Sequence, residues 1–204
     1  MKNIIAKYSA LALALLMLVS LFSCKKDEAE HLEPMDISAL STDELISFVE
    51  LGEYTLMTLK QGSSSKGEVV WAAVKENATV KSYPEQQVSY YVSQIEAQYK
   101  YYAEQADMSY EEMLREMGVT EDSILSQARS MAIDDVIYEL VRRDAKITLS
   151  SQEKESHFDR YVSKYVTDYG YTEQYVRENM KEEIYASMLY DKVTEYLITN
   201  NQFE

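Results

Sequence analysis

From residue 84 onward, apolar side chains recur at three- and four-residue steps over runs too long for a strand, a spacing that restricts the chain to helices with one buried stripe each. Val88, Tyr91, Val92, Ile95, Tyr99 and Tyr102 mark one face of a long helix. Ile124, Leu125, Ala128, Met131, Ile133, Val136, Ile137, Leu140 and Val141 mark a second, and Ile184, Met188, Leu189, Val193 and Leu197 a third. Start signals agree. Ser41 with Glu44, Ser109 with Glu112 and Ser150 with Glu153 have the spacing of capping boxes, in which hydroxyl and carboxylate each satisfy a free backbone N–H. Pro84 suits a first helical turn, Thr120 and Thr172 suit helix starts, and Gly118 and Gly170 suit helix ends. A shorter helix is expected over EVVWAAVKEN, residues 68–77. FVELGEYTLMTLK, residues 48–60, is β-branched and aromatic around Gly52 and predicts one short extended pairing. The expected fold is all-α, elongated and multi-helical, with that single extended segment.

A length of 204 residues suits one domain, or one domain with a small appendage, and 46% hydrophobic residues is ample for a core. A formal net charge of −15 argues against nucleic acid as a partner, because phosphates reward clustered Lys and Arg. It argues equally against electrostatic adhesion to an anionic membrane.

The N-terminus carries a different signal. Lys2 and Lys7 precede ALALALLMLVSLF, residues 10–22, an apolar run shorter than the ~20 residues a bilayer span requires and suited to an export signal. It ends in Leu21-Phe22-Ser23-Cys24, which resembles a bacterial lipobox, and Cys24 is the only cysteine in the chain. The resemblance implies a signal peptide over residues 1–23, lipidation of Cys24 and extracytoplasmic anchorage to a bacterial membrane, with the membrane and leaflet not legible. Residues 24–40 are polar, contain Pro34, lack a period and are expected to form a tether. Residues 41–204 are expected to form the helical body.

Catalytic constellations are hard to find. His31 falls in the tether, and His157 follows Glu153 at a helical step, half of a metal site with no second body histidine to complete it. The pairs Glu111/Glu112, Asp134/Asp135 and Glu182/Glu183 are adjacent on helices and so do not face one another. Arg142 and Arg143 sit in a last helical turn, where positive charge complements the macrodipole. No cofactor, metal or catalytic residue is expected.

What stands out is 18 tyrosines and 10 methionines. Tyr90, Tyr101, Met108, Tyr110, Met113 and Met117 crowd around one helix–turn–helix and cannot all face inward. A surface of tyrosine and methionine gives large contact area and adapts to irregular partners. The alternative is that these six residues complete an ordinary core.

The body resembles the C-terminal domain of trigger factor, the bacterial folding chaperone. The likeness is carried by a short helix ending in Glu76-Asn77 and a proline-initiated helix at Tyr83-Pro84-Glu85. It continues through the hairpin of residues 108–122, the A-x-x-x-V-I-x-E-L pattern of residues 132–140, ITLSSQE at residues 147–153, and the pattern ending D-K-V-x-x-x-L, residues 188–197. FVELGEY is similar to the family's connector strand. The same architecture is shared with the chaperone domain of SurA-type periplasmic proteins. The resemblance spans about residues 45–200 and implies binding of unfolded or newly exported polypeptides without ATP. Nothing here matches the family's ribosome-docking loop. Its prolyl isomerase domain has only KQGSSSKGE, with a loop expected over residues 61–67, at the corresponding place, so isomerase activity is not implied. A second reading keeps the helices and makes the chain a structural or adaptor lipoprotein with one dedicated partner. Oligomeric state is not legible.

Overall fold

A computed structural model describes residues 32–204. The expected signal peptide, Cys24, His31 and the tether up to residue 31 lie outside the described residues.

The described residues are all-α in character, as expected. Their helices are α1 (Thr42–Phe48), α2 (Lys66–Asn77), α3 (Glu85–Gln105), α4 (Tyr110–Met117), α5 (Glu121–Asp144), α6 (Ser151–Tyr169), α7 (Glu173–Asn179) and α8 (Lys181–Thr199). Four two-residue strands accompany them: β1 (Val49–Glu50), β2 (Thr58–Leu59), β3 (Thr79–Val80) and β4 (Gln202–Phe203). The three expected capping boxes form. A fourth, Ser65 with Glu68, was not expected and starts α2 at Lys66. The loop expected over residues 61–67 therefore ends at Ser65, and Lys66 and Gly67 are helical. Pro84 precedes α3 instead of lying within it.

The single extended pairing expected near residues 48–60 is two separate pairings. β1 runs antiparallel to β3, with Val49 opposite Val80, and β2 runs parallel to β4, with Thr58 opposite Gln202. The intervening chain cannot run straight between them, because Leu56 adopts a left-handed conformation at φ 62°.

The chain divides into two compact units. The first comprises Glu85–Ala128 with the described residues up to Met35. Its buried residues include Val88, Ile95, Ala103, Ile124 and Ala128, and buried Gln87 accepts a hydrogen bond from the Met35 amide at 2.8 Å.

The second unit comprises Asp36–Pro84 and Arg129–Glu204. Asp36 caps a 3₁₀ turn, Ile37–Ala39, that buries Ile37, and Arg143 donates to the Ser38 carbonyl at 2.9 Å. The end of the expected tether thus makes hydrogen bonds to later residues from Glu33 onward. α2 and α8 pack through buried Val70, Val74, Val193 and Leu197, and the Trp71 indole N–H donates to Thr194 Oγ1 at 2.9 Å. Tyr161, Val162, Val176, Met180, Ile184 and Met188 form the core of α6, α7 and α8. Burial and a 2.6 Å bond to Asp191 push the Tyr161 phenol up to about 12.

Arg142 and Arg143 do more than complement a helix dipole. Arg142 grips buried Glu139 through Nε and Nη2 at 2.7 and 2.6 Å, and Arg143 Nε adds a third bond at 2.6 Å. A buried carboxylate needs such donors, since an unpaired buried charge is strongly unfavourable.

Gly52 is required by proximity. A Cβ there would lie 2.2 Å from the Asn77 carbonyl oxygen, while the Asn77 side chain donates to the Glu53 carbonyl at 2.9 Å. Gly52→Ala should lower stability by about 1–3 kcal/mol, the range for forced overpacking, as read from urea unfolding.

Lys192 bonds to Glu153, and the Ser150 cap adds hydrogen bonds; together they hold the Glu153 carboxyl at about 2. A depressed carboxyl contributes stability above its ordinary value of 4.5 and loses it as pH falls through about 2. Across that window wild type should lose stability more steeply than Glu153→Gln, measured by denaturant titration at each pH.

Candidate functional site

In the first unit, α3 and α4 form a hairpin whose turn is set by local bonds. The Met108 amide donates to the Ala103 carbonyl at 3.0 Å, Asp107 takes a left-handed conformation at φ 55°, and Ser109 caps α4. Asp tolerates that conformation better than most residues. Gly118, also left-handed, ends α4, and Thr120 with Ser123 starts α5 by reciprocal bonds.

The six residues marked from sequence all lie on this hairpin, and none is buried. Tyr101 and Met117 are each 40% exposed, while Tyr90, Met108, Tyr110 and Met113 are half-buried. The Lys100 ammonium lies 5.4 Å from the Tyr110 ring, which sets the start of α4 against the C-terminal end of α3. Met108 lies in the turn between the two helices, and Met113 and Met117 follow along α4. Tyr90 stands roughly 16 Å back along α3 from Tyr101, about three turns, on the same side of that helix. Each has a ring neighbour, Tyr91 at 5.5 Å and Tyr102 at 6.0 Å.

α4 has no fully buried residue. Met113 and Leu114 are only half covered, and Glu111, Glu112 and Glu116 are exposed around them. Burial, reinforced by Glu96, pushes the Tyr110 phenol above its ordinary range, and burial does the same to Tyr99. These rings are neutral at physiological pH. The surface is an aromatic and thioether island within a rim of carboxylates.

The second unit contains a feature the sequence reading missed: an open cleft of about 720 Å³. Ile46, Leu51, Tyr54 and Leu140 give it an apolar lining, and Lys81, Arg143 and Lys146 bring cations to it. Lys81 pairs with Glu50 at 3.0 Å, and Arg143 is committed to Glu139. Periodicity could not reveal this cleft, because its walls come from α1, the β1–β3 region and the end of α5.

Among the described residues no group of three or more His, Cys, Asp or Glu side chains is placed to hold a metal ion. His157 is exposed on α6, and the Glu153 carboxylate beside it is taken by Lys192 and Ser150. No described helix is long and apolar enough to cross a membrane. No known protein family, curated protein or solved structure matches this chain.

The exposed residues of the hairpin should be replaceable at little cost to the fold. Tyr101→Gln and Met117→Gln are expected to change stability by no more than about 0.5 kcal/mol, as for surface positions. Ile95→Ala on the buried side of α3 should cost about 2–5 kcal/mol. Chemical denaturation of the three variants measures both.

Proposed function

We propose that this chain is an extracytoplasmic chaperone of the holdase type, anchored to a bacterial membrane through lipidated Cys24. It binds unfolded or newly exported polypeptides without ATP and without catalytic residues. The observation that carries this reading is the α3–α4 hairpin, on which six Tyr and Met side chains are all partly exposed and none is buried. The sequence likeness to the chaperone domains of trigger factor and SurA-type proteins supports it.

Binding would work by transient burial of client side chains against the hairpin. Each covered aliphatic or aromatic side chain contributes roughly 1.5–3 kcal/mol before ordering costs, so a few contacts give weak, rapidly exchanging association. Methionine adapts to clients of different shape, and neutral tyrosines add hydrogen bonds without charge. The carboxylate rim favours segments that combine apolar residues with Lys or Arg, and it disfavours acidic ones.

The full chain should suppress aggregation of a chemically unfolded client without nucleotide, measured by light scattering. Tyr101→Glu with Met117→Glu should weaken suppression several-fold while leaving helicity unchanged. No suppression by wild type at several-fold molar excess would sink the proposal. Cross-linking in cells separates it from the adaptor reading, since a chaperone captures many unrelated exported proteins and an adaptor one stoichiometric partner.

A further inference from the structure

Leu56 is the most conspicuous residue of the second unit. It is 89% exposed, the most exposed of the large apolar residues described, and it holds a left-handed backbone at φ 62°. For a leucine this conformation is strained, and strain persists only where the surroundings impose it. Here they do. The Leu56 amide donates to the Asn200 carbonyl at 2.7 Å, the Met57 amide to Asn201 Oδ1 at 2.8 Å, and Asn201 Nδ2 to the Tyr54 carbonyl at 3.0 Å. The Tyr54 hydroxyl bonds to Asp144. The loop is therefore a clamped mount that holds one leucine out in water.

The cleft lies next to this mount, because Tyr54 is one of its walls and two residues of chain reach at most about 7 Å. Its apolar lining includes Ile46, itself 42% exposed. An apolar knob and an apolar hollow this close together can satisfy each other across a two-fold axis. Charge agrees. Exposed Glu53, beside the knob, and Lys146, on the cleft, form no ion pair among the described residues, and in a two-fold pair each would meet the other across the contact.

We propose that the chain forms a two-fold dimer in which Leu56 of each copy enters the cleft of the other, with Glu53 facing Lys146. The surface belongs to the second unit and does not require the α3–α4 hairpin, so dimer formation and polypeptide holding can fail separately.

The test is sedimentation velocity of the full chain in a non-ionic detergent over a wide concentration range. Wild type should show a concentration-dependent dimer. Leu56→Asn, Glu53→Lys and Lys146→Glu should each weaken it at least tenfold, and Glu53→Lys combined with Lys146→Glu should restore it. Asn tolerates the left-handed region, so at a dilution where both proteins are monomeric Leu56→Asn should melt at or above the wild-type temperature. The proposal is overturned by a wild type that stays monomeric, or by a dimer that survives Leu56→Asn. Failure of the double charge reversal to recover association overturns it too, as does a fall in the monomer's melting temperature, which would make Leu56 a support of its own fold.

Discussion

Three aromatic rings, one from each of three helices, tie α2, α5 and α8 of the second unit together. Trp71 of α2 stacks on Tyr190 of α8 with centroids 5.7 Å apart, Tyr190 stacks on Tyr138 of α5 at 5.8 Å, and Trp71 and Tyr138 close the triangle at 6.3 Å. Neighbouring contacts give the helix directions. Trp71 meets Tyr138 while Lys75, one turn on, meets Asp134, one turn back, so α2 and α5 run antiparallel. Gly67 faces Thr194, and Trp71 reaches both Thr194 and Tyr190, so α2 and α8 are antiparallel as well. Aromatic pairs contribute about 0.5–1.5 kcal/mol each beyond their buried area, whereas an exposed ion pair such as Lys75–Asp134 contributes about 0–1 kcal/mol. The rings therefore outweigh the ion pair, and both orient a junction whose buried mass is Val70, Val74, Val193 and Leu197. Burial raises the phenols of Tyr138 and Tyr190, which keeps both rings uncharged where a phenolate would disrupt the stack.

The junction depends on where α2 begins, and that point is decided within KQGSSSKGE. Ser65 and Glu68 cap the helix, and Gly67 allows α8 close, since a Cβ would come within 3.3 Å of Thr194. The preceding residues are tied down as well. The Gln61 amide donates to the Glu204 carbonyl at 3.0 Å, and Lys66 lies 5.1 Å from the Phe203 ring, beside the β2–β4 pairing. A run with the composition of a flexible link is here a turn held against the C-terminal strand.

Helix positions were legible in the sequence because their causes are local. A three-residue Ser–Glu spacing and a repeating stripe need no knowledge of the rest of the chain, so three capping boxes and the long helices read correctly. The Ser65–Glu68 box obeyed the same rule but was hidden by the flexible composition around it. The strand pairings were not legible, because two-residue strands carry no alternation of their own and their partners lie some 30 and 140 residues away. Arg142 and Arg143 had a sufficient local explanation in the helix dipole, which concealed the buried Glu139 they hold. The hairpin's Tyr and Met cluster was readable as a surplus that one stripe could not absorb. The left-handed Leu56 was not, because nothing in a leucine announces that conformation and only the Asn200–Asn201 clamp imposes it.

A chain that leaves Leu56, Ile46, Val80, Tyr101 and Met117 open to water must still avoid indiscriminate association. The net charge of −15 provides long-range repulsion between copies, and repulsion of this kind is screened beyond about 10 Å in ordinary salt. At shorter range, local geometry decides what can bind. On the hairpin Tyr101 and Met117 stand on helices that also carry exposed carboxylates, so anything that reaches them must also meet negative charge. On the second unit Ile46 and Val80 are partly covered, whereas Leu56 projects from a backbone fixed by bonds to Asn200 and Asn201, so anything that reaches it meets a single orientation. The same overall charge thus coexists with two kinds of exposed apolar residue, which differ in the charge around them and in how their backbone is held.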